Sequence, residues 1–125
     1  VKGAHWNLKG EKFVELHQFF DRLAFEVSGI TDSVAERLVI LGGVAVGDVQ
    51  SVAQKTGLVA FPGFTTQAMD FVRALSQGLD ALLGRLRDTR DTVNEAEDED
   101  TSNQLTEHIS ELEKNGWFLK ATMEK

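Results

Sequence analysis

Residues 13–41, FVELHQFFDRLAFEVSGITDSVAERLVIL, decide the fold of this chain because their apolar side chains recur at steps of three and four residues. This spacing predicts one long amphipathic helix over residues 11–41. Its apolar stripe consists of Phe13, Leu16, Phe20, Leu23, Val27, Ile30, Val34, Leu38 and Leu41. Gly42-Gly43 follows directly, and the helix is predicted to end there because glycine is the usual residue beyond a helix C-terminus.

The rest of the chain is helical in pattern as well. Further helices are predicted over residues 1–8, 49–55, 64–94 and 101–125. Thr101 and Gln104 are spaced as a capping box for the last helix, and Asn115-Gly116 is predicted to loosen its final turns. The connection between the helices predicted over residues 11–41 and 64–94 is long enough to cross the end of a bundle. We therefore expect an all-α, four-helix bundle with a short helix in that connection.

The start of the chain predicts a truncated first helix. Residues 1–8 carry only the last turns of a helix, ended by Lys9-Gly10, and residue 1 is not methionine. A bundle that lacked the rest of this helix would expose much of its apolar stripe. We therefore expect residues 1–125 to form a single domain whose first helix begins upstream of Val1, in a protein heavier than 13.8 kDa.

Composition narrows the classes of function. A net charge of −7 argues against sequence-independent nucleic-acid binding by the body of the domain, which needs clustered Lys and Arg. The absence of cysteine excludes disulfides and thiolate metal sites, and is compatible with a reducing cytosol. No apolar run is long enough for a membrane span and no signal peptide is visible, so no membrane partner is predicted.

Four potential metal ligands share one face of the predicted helix over residues 11–41. At about 100° per residue, His17, Asp21, Asp32 and Glu36 fall within a sector roughly 100° wide. Nitrogen and oxygen donors of this kind suit iron or zinc. Ordinary surface pairs at four-residue spacing are the alternative. The sector contains no Lys or Arg and adjoins the apolar stripe, and buried unpaired carboxylates are costly, which favours a metal or a proton.

The same geometry limits how these ligands can act. His17 and Glu36 are 19 residues apart, so a straight helix separates them by roughly 28 Å. One chain therefore cannot close all four ligands around one metal. If they bind together, the site must be assembled from two chains.

Several short sequence motifs occur together in this chain. Their combination and spacing are more specific than any one motif alone. The motifs are His5-Trp6-Asn7, Gly10, Phe13, Leu16-His17, Phe20-Asp21, Asp32, Ala35-Glu36-Arg37, Leu41-Gly42-Gly43, Asp100-Thr101 and Trp117-Phe118. Over nearly its whole length the chain thereby resembles the Dps family, the DNA-binding proteins from starved cells or miniferritins. The resemblance implies a ferritin-like four-helix bundle, assembled into a hollow homododecamer with iron sites at two-fold interfaces.

The resemblance also implies a role for each ligand. His5, His17 and Asp21 are expected from one subunit, and Asp32 and Glu36 from its partner, in agreement with the distance argument. The family oxidises Fe(II), usually with hydrogen peroxide, and stores ferric oxide inside the shell. Iron is therefore the expected metal, with zinc as a substitute because histidine and carboxylate also bind it well. DNA would be protected from oxidative damage by this ferroxidase activity.

Three further residues receive roles by resemblance, each beside a plainer alternative. Trp6 adjoins His5 and is expected to donate electrons that quench stray radicals, or else to be a packing aromatic. In the acidic run over residues 95–100, Asp98 and Asp100 are expected to line a pore through which iron enters, with Asp91 more remote. The alternative is a solvated loop whose acids favour the N-terminus of the next helix. His108 is expected to be a surface histidine.

Two competing functions would each be favoured by a sequence feature that can be looked for in this chain. A larger ferritin with a di-iron site inside one chain needs Glu-x-x-His pairs, and no glutamate here precedes a histidine by three. A shell that mainly compacts DNA or binds proteins, with little ferroxidase activity, remains the alternative, although no basic tail is visible. The resemblance implies a cytoplasmic protein, associated with the nucleoid if it binds DNA.

Overall fold

The computed structural model describes residues 1–124, and five α-helices lie within them. They are α1 (Lys2–Asn7), α2 (Phe13–Ile40), α3 (Val49–Lys55), α4 (Ala68–Glu95) and α5 (Glu99–Met123). Within these residues there is no β-strand, and one isolated bridge joins Lys9 to Gln67. The predicted all-α fold is confirmed, and α3 has the predicted bounds. The predicted last helix also included Lys125, which lies outside the described residues.

Glycines at both ends set the limits of α2. Gly10 has φ of 114° and Gly42 has φ of 91°, a left-handed conformation that glycine adopts without the steric cost of a Cβ atom. Between α1 and α2, the Lys9 amide donates to the carbonyl oxygen of Thr66 at 2.9 Å. This bond ties the connection to the segment that precedes α4.

The hydrophobic core lies where α1, α2, α4 and α5 meet. α4 and α5 pack along most of their length because only a short turn joins them, which makes them antiparallel neighbours. The fully buried side chains of the core include Leu8, Phe20, Leu23, Phe71, Val72, Leu112 and Leu119. Part of the apolar stripe predicted for residues 11–41 therefore faces this core.

The stripe of α2 is buried only between Leu16 and Ile30, and its first member, Phe13, is 40% exposed. Leu16, Phe20, Leu23 and Ile30 are buried, whereas the later members of the stripe, such as Leu38, are exposed. An open apolar cavity of about 340 Å³ lies between the second half of α2 and α4. No helix among residues 1–124 is long and apolar enough to cross a membrane.

The start of α5 corrects the predicted capping box. Asp98, and not Thr101, is the N-cap residue, and its carboxylate accepts from the backbone amide of Thr101 at 3.1 Å. Gln104 reaches across to α2 instead, where its side-chain amide donates to the hydroxyl of Ser33 at 2.6 Å. The prediction was wrong because Asp98 offers a competing cap three residues upstream, which the helix uses.

Polar side chains join α2 to α5. The Arg37 guanidinium donates to the Thr101 hydroxyl at 2.8 Å and to the Asp98 carboxylate at 3.3 Å. The hydrogen bond that the Thr101 hydroxyl donates to the Asp98 carboxylate is the largest cause that lowers the pKa of this carboxyl, and the Thr101 amide and the Arg37 guanidinium lower it further. His108 is half-buried and lies 3.1 Å from the Ser33 hydroxyl through Nε2, so it is not the surface histidine expected.

The predicted weakness at Asn115-Gly116 is also wrong. α5 continues through both residues to Met123, and both are buried. The Asn115 side-chain amide donates to the Glu26 carboxylate on α2 at 2.6 Å. A Cβ atom at Gly116 would make an ordinary contact with Leu79 of α4, at 3.6 Å, so α5 packs against α4 at this residue. Packing and hydrogen bonding between helices thus outweigh the low helix propensity of the pair.

Candidate metal centre

The two histidines predicted as ligands lie against each other. His5 on α1 stacks on His17 on α2 with ring centroids 3.8 Å apart and an interplanar angle of 21°. The Nδ1 atom of each ring lies within hydrogen-bond distance of the other residue's backbone carbonyl, at 2.8 Å and 2.9 Å. A carbonyl oxygen can only accept, so each Nδ1 carries the proton and donates. In the neutral rings, both Nε2 atoms are then free to bind a metal.

Asp21 completes this group one helical turn beyond His17. One of its carboxylate oxygens lies 3.9 Å from Nε2 of His5. The same oxygen accepts a hydrogen bond of 2.5 Å from the Lys2 ammonium. That hydrogen bond, together with the charge of Lys2, lowers the pKa of the Asp21 carboxyl below its usual value. We call His5, His17 and Asp21 the histidine half-site.

A second pair of predicted ligands lies further along α2. Asp32 and Glu36 are one turn apart and exposed, and they line an open cavity of about 380 Å³ together with Arg37, Asp100 and Gln104. The Arg37 side chain contacts Thr101 and Asp98. We call Asp32 and Glu36 the carboxylate half-site.

The two half-sites do not meet within one chain. Helix geometry separates His17 from Glu36 by roughly 28 Å. Among residues 1–124, no group of three or more His, Cys, Asp or Glu side chains is placed to hold a metal ion. If the two half-sites bind one metal, the ligands must come from two chains.

The other predicted residues are placed as follows. The Trp6 side chain is 71% exposed next to the histidine half-site, so within one chain it is not a packing aromatic of the core. Both carboxylate oxygens of Asp98 are engaged, by Thr101 and by Arg37. Asp100 is exposed in the cavity of the carboxylate half-site. The pore role of Asp98 and Asp100 stays a prediction.

Sequence analysis missed one residue at the site. The helical wheel of α2 shows no cation near the ligands, yet Lys2 on α1 pairs with Asp21 from 19 residues away. The sequence pattern of α2 could not predict this contact, because the contact depends on how α1 packs against α2. Lys2 therefore competes with any cation for the Asp21 carboxylate.

Comparison with known proteins now identifies the class. Residues 1–125 match the family described as a ferritin-like domain. A DNA protection during starvation protein from Agrobacterium fabrum is 35% identical over 125 residues, covering all of this chain and 77% of that protein. Helices that present paired histidine and carboxylate donors fit this class, so the chain is a ferritin-like protein.

Solved structures narrow the class further. A Dps protein from Bacillus brevis is 32% identical with a TM-score of 0.93, covering 98% of this chain and 82% of that one. Dps from Microbacterium arborescens in the high iron form is 31% identical with a TM-score of 0.91, covering 99% of this chain and 80% of that one. The chain belongs to the Dps family.

Removing the Lys2 charge is expected to strengthen metal binding. In Lys2→Met the Asp21 carboxylate loses its competing cation, so affinity for a divalent ion should rise by about two- to fivefold, as for other exposed ion pairs. Zn²⁺ is a suitable probe because it is redox-inert, and calorimetric titration measures its affinity. The matched control is Lys120→Met, which removes a similarly exposed pair with Asp80. An unchanged affinity in Lys2→Met would show that Lys2 does not compete.

Proposed function

We propose that this protein is an iron-storage ferroxidase. It oxidises Fe(II) with hydrogen peroxide, or with oxygen, at sites shared between two subunits, and it stores ferric oxide in a hollow homododecamer that protects DNA. The observation that carries the proposal is the reciprocal hydrogen bonding of His5 and His17, which leaves both Nε2 atoms free to bind a metal and places that of His5 3.9 Å from the Asp21 carboxylate. The high iron form of a Dps relative supports iron as the metal bound.

The donor set suits iron that enters as Fe(II) and leaves as Fe(III). Imidazole nitrogens retain ferrous iron, whereas carboxylate oxygens prefer the harder ferric ion. Two ferrous ions each give one electron to hydrogen peroxide, and with two protons the products are two ferric ions and two waters. Because both electrons arrive together, hydroxyl radical is not released. The exposed indole of Trp6 is placed to donate an electron to any stray radical.

The carboxylate half-site of a second subunit supplies the missing ligands. Without a bound cation, the carboxylates of Asp32 and Glu36 would remain two exposed anions one turn apart on α2. Asp100 lines the same cavity and is the better placed of the two predicted pore residues to pass iron toward them. Zinc as a substitute for iron remains a prediction from the chemistry of the donors.

Iron oxidation in half-site variants tests the proposal. The protein is loaded with Fe(II) without oxygen, peroxide is added, and ferric absorbance is followed with time. We expect the His17→Ala, Asp32→Ala double variant to oxidise iron at least about tenfold more slowly, since each subunit then lacks one ligand of each half-site. The control is Asp80→Ala, an exposed carboxylate on α4 away from both half-sites. A wild-type rate in the double variant would refute the site.

A shell that mainly compacts DNA is the second candidate. The name of the Agrobacterium relative, DNA protection during starvation protein, favours it. The net charge of −7 opposes it, because DNA affinity comes largely from Lys and Arg on phosphate. Gel filtration with DNA at low salt separates the two candidates: co-elution together with slow iron oxidation would favour compaction over iron storage.

A further inference from the structure

We propose that Phe13 is a positioning residue for the His17 imidazole, because its ring limits how far that imidazole can tilt. This inference rests on the proposed metal-binding role of the histidine half-site. Phe13 and His17 are one turn apart on α2, and their ring centroids lie 5.1 Å apart with an interplanar angle of 29°. The His5 ring stacks on His17 as well, at 3.8 Å. His17 is therefore in contact with two flat rings.

The hydrogen bond of His17 leaves one motion of its ring unrestrained. Nδ1 of His17 donates to the backbone carbonyl of His5 at 2.9 Å, which sets the tautomer and the edge of the ring that faces α1. The ring plane can still tilt, because a carbonyl oxygen accepts hydrogen bonds over a broad range of angles. Such a tilt moves Nε2, the atom that is free to bind a metal. Flat rings stacked on the imidazole restrict the tilt by steric contact.

The burial of Phe13 distinguishes this role from ordinary core packing. Phe13 is 40% exposed, whereas Leu16 and Phe20, which follow it in the apolar stripe, are 5% and 0% exposed. A centroid distance of 5.1 Å is typical of a favourable aromatic pair, and an aliphatic side chain has no flat face to provide one. The contact with His17 is therefore the one for which a phenyl ring matters at this position.

The turn before α2 determines where Phe13 can place its ring. The Phe13 amide donates to the Gly10 carbonyl oxygen at 3.1 Å, and Gly10 has the positive φ that a glycine adopts without strain. The same connection between α1 and α2 brings His5 against His17. Both rings that confine the His17 imidazole are thus placed by one local fold.

A confined imidazole affects how well Fe(II) is captured. The apparent affinity of a site falls with the fraction of the protein whose ligands are correctly placed. Phe13 raises this fraction for Nε2 of His17 without itself being a ligand. We therefore expect metal binding to depend on Phe13. Electron transfer to peroxide follows binding, and its rate in the loaded site should not depend on Phe13.

Zn²⁺ titration of Phe13 variants of the assembled protein tests the proposal without iron. Phe13→Leu keeps an apolar side chain but loses the flat ring, so its Zn²⁺ affinity should fall about three- to tenfold, the range that an aromatic pair supplies. Phe13→Tyr keeps the ring and should bind Zn²⁺ within about twofold of wild type. Calorimetry measures both affinities. An unchanged affinity in Phe13→Leu, or an equal loss in Phe13→Tyr, would overturn the proposal.

A double-mutant cycle shows whether Phe13 acts through His17. In protein that already carries His17→Ala, Phe13→Leu is expected to cause no further loss of Zn²⁺ affinity, because no imidazole remains to be placed. If Phe13→Leu caused the same loss with and without His17, Phe13 would act on the fold in general. The positioning role would then be wrong.

The matched control for the loss of an aromatic ring is Phe118→Leu. Phe118 is half-buried on α5 and its ring contacts Trp117 and Phe19 rather than a histidine. Because Phe118 is more buried than Phe13, its substitution should lower the free energy of unfolding at least as much, yet leave the Zn²⁺ affinity unchanged. A comparable loss of affinity in this control would contradict the proposal, because loosening of the fold would then be enough to weaken binding.

Steady-state iron oxidation separates this inference from the proposed function. In Phe13→Leu the KM for Fe(II) should rise while kcat with peroxide stays within about twofold of wild type, since binding and not the chemical step is affected. A fall in kcat at unchanged KM would overturn the positioning role. If wild-type protein oxidises no iron but the Zn²⁺ results hold, the proposed function fails and the positioning role stands. If wild-type protein oxidises iron but Phe13→Leu binds Zn²⁺ as wild type does, the positioning role fails and the proposed function stands.

Discussion

A mixture of two inactive variants, His17→Ala and Glu36→Ala, is expected to recover about a quarter of the wild-type rate of iron oxidation. In a mixed dimer, one of the two symmetric sites collects both defects and the other has none. Random pairing of equal amounts makes about half of the dimers mixed, and half of the sites in those dimers are intact. The variants are refolded together or co-expressed, and ferric absorbance after peroxide addition gives the rate.

The control for this experiment uses two defects in the same half-site. His17→Ala mixed with Asp21→Ala cannot produce an intact site, because every histidine half-site then carries one of the two changes. Recovery in the first mixture and none in the second would establish that the ligands come from two chains. Failure of the first mixture, with mixed dimers shown by mass spectrometry, would contradict the shared site.

Local pattern was enough to predict the helices. The helix over Val49–Lys55 was predicted with the bounds that the structure has, and α2 ends just before Gly42-Gly43, as predicted. Periodicity and terminal residues act over a few residues, so they can be read from one stretch of sequence. The placement of His17, Asp21, Asp32 and Glu36 on one face of α2 was predictable for the same reason, since it depends only on the helical repeat; that they bind a metal stays a prediction.

Contacts between helices could not be predicted in this way. Lys2 contacts Asp21 across the turn between α1 and α2, and Gln104 reaches Ser33 over 71 residues of sequence. Each of these depends on the relative position of two helices, which no local pattern encodes. Asn115 is an example. Its low helix propensity predicts a weakened helix, whereas in the structure its side-chain amide donates a hydrogen bond to the Glu26 carboxylate and joins α5 to α2.

Phe20 and Phe25 lie on different faces of α2. Substitutions at these two residues are therefore expected to affect different quantities, the stability of the single chain and the stability of the proposed assembly. Phe20 is 0% exposed and lies in the core, whereas Phe25 is 82% exposed on the ligand face. Phe20→Ala is expected to lower the free energy of unfolding by about 3–5 kcal/mol, from lost burial and the cavity left behind. Phe25→Ala should leave the single chain nearly unchanged and weaken only its association.

Urea unfolding followed by circular dichroism at several protein concentrations distinguishes the two effects. The wild-type midpoint should rise with protein concentration, because assembly stabilises the folded chain by mass action. Phe20→Ala should lower the midpoint at every concentration, since the core is damaged before any partner binds. Phe25→Ala should instead flatten the dependence on concentration. If both variants lowered the midpoint equally at all concentrations, Phe25 would stabilise the fold of its own chain, and the face that carries the ligands would not be the subunit contact.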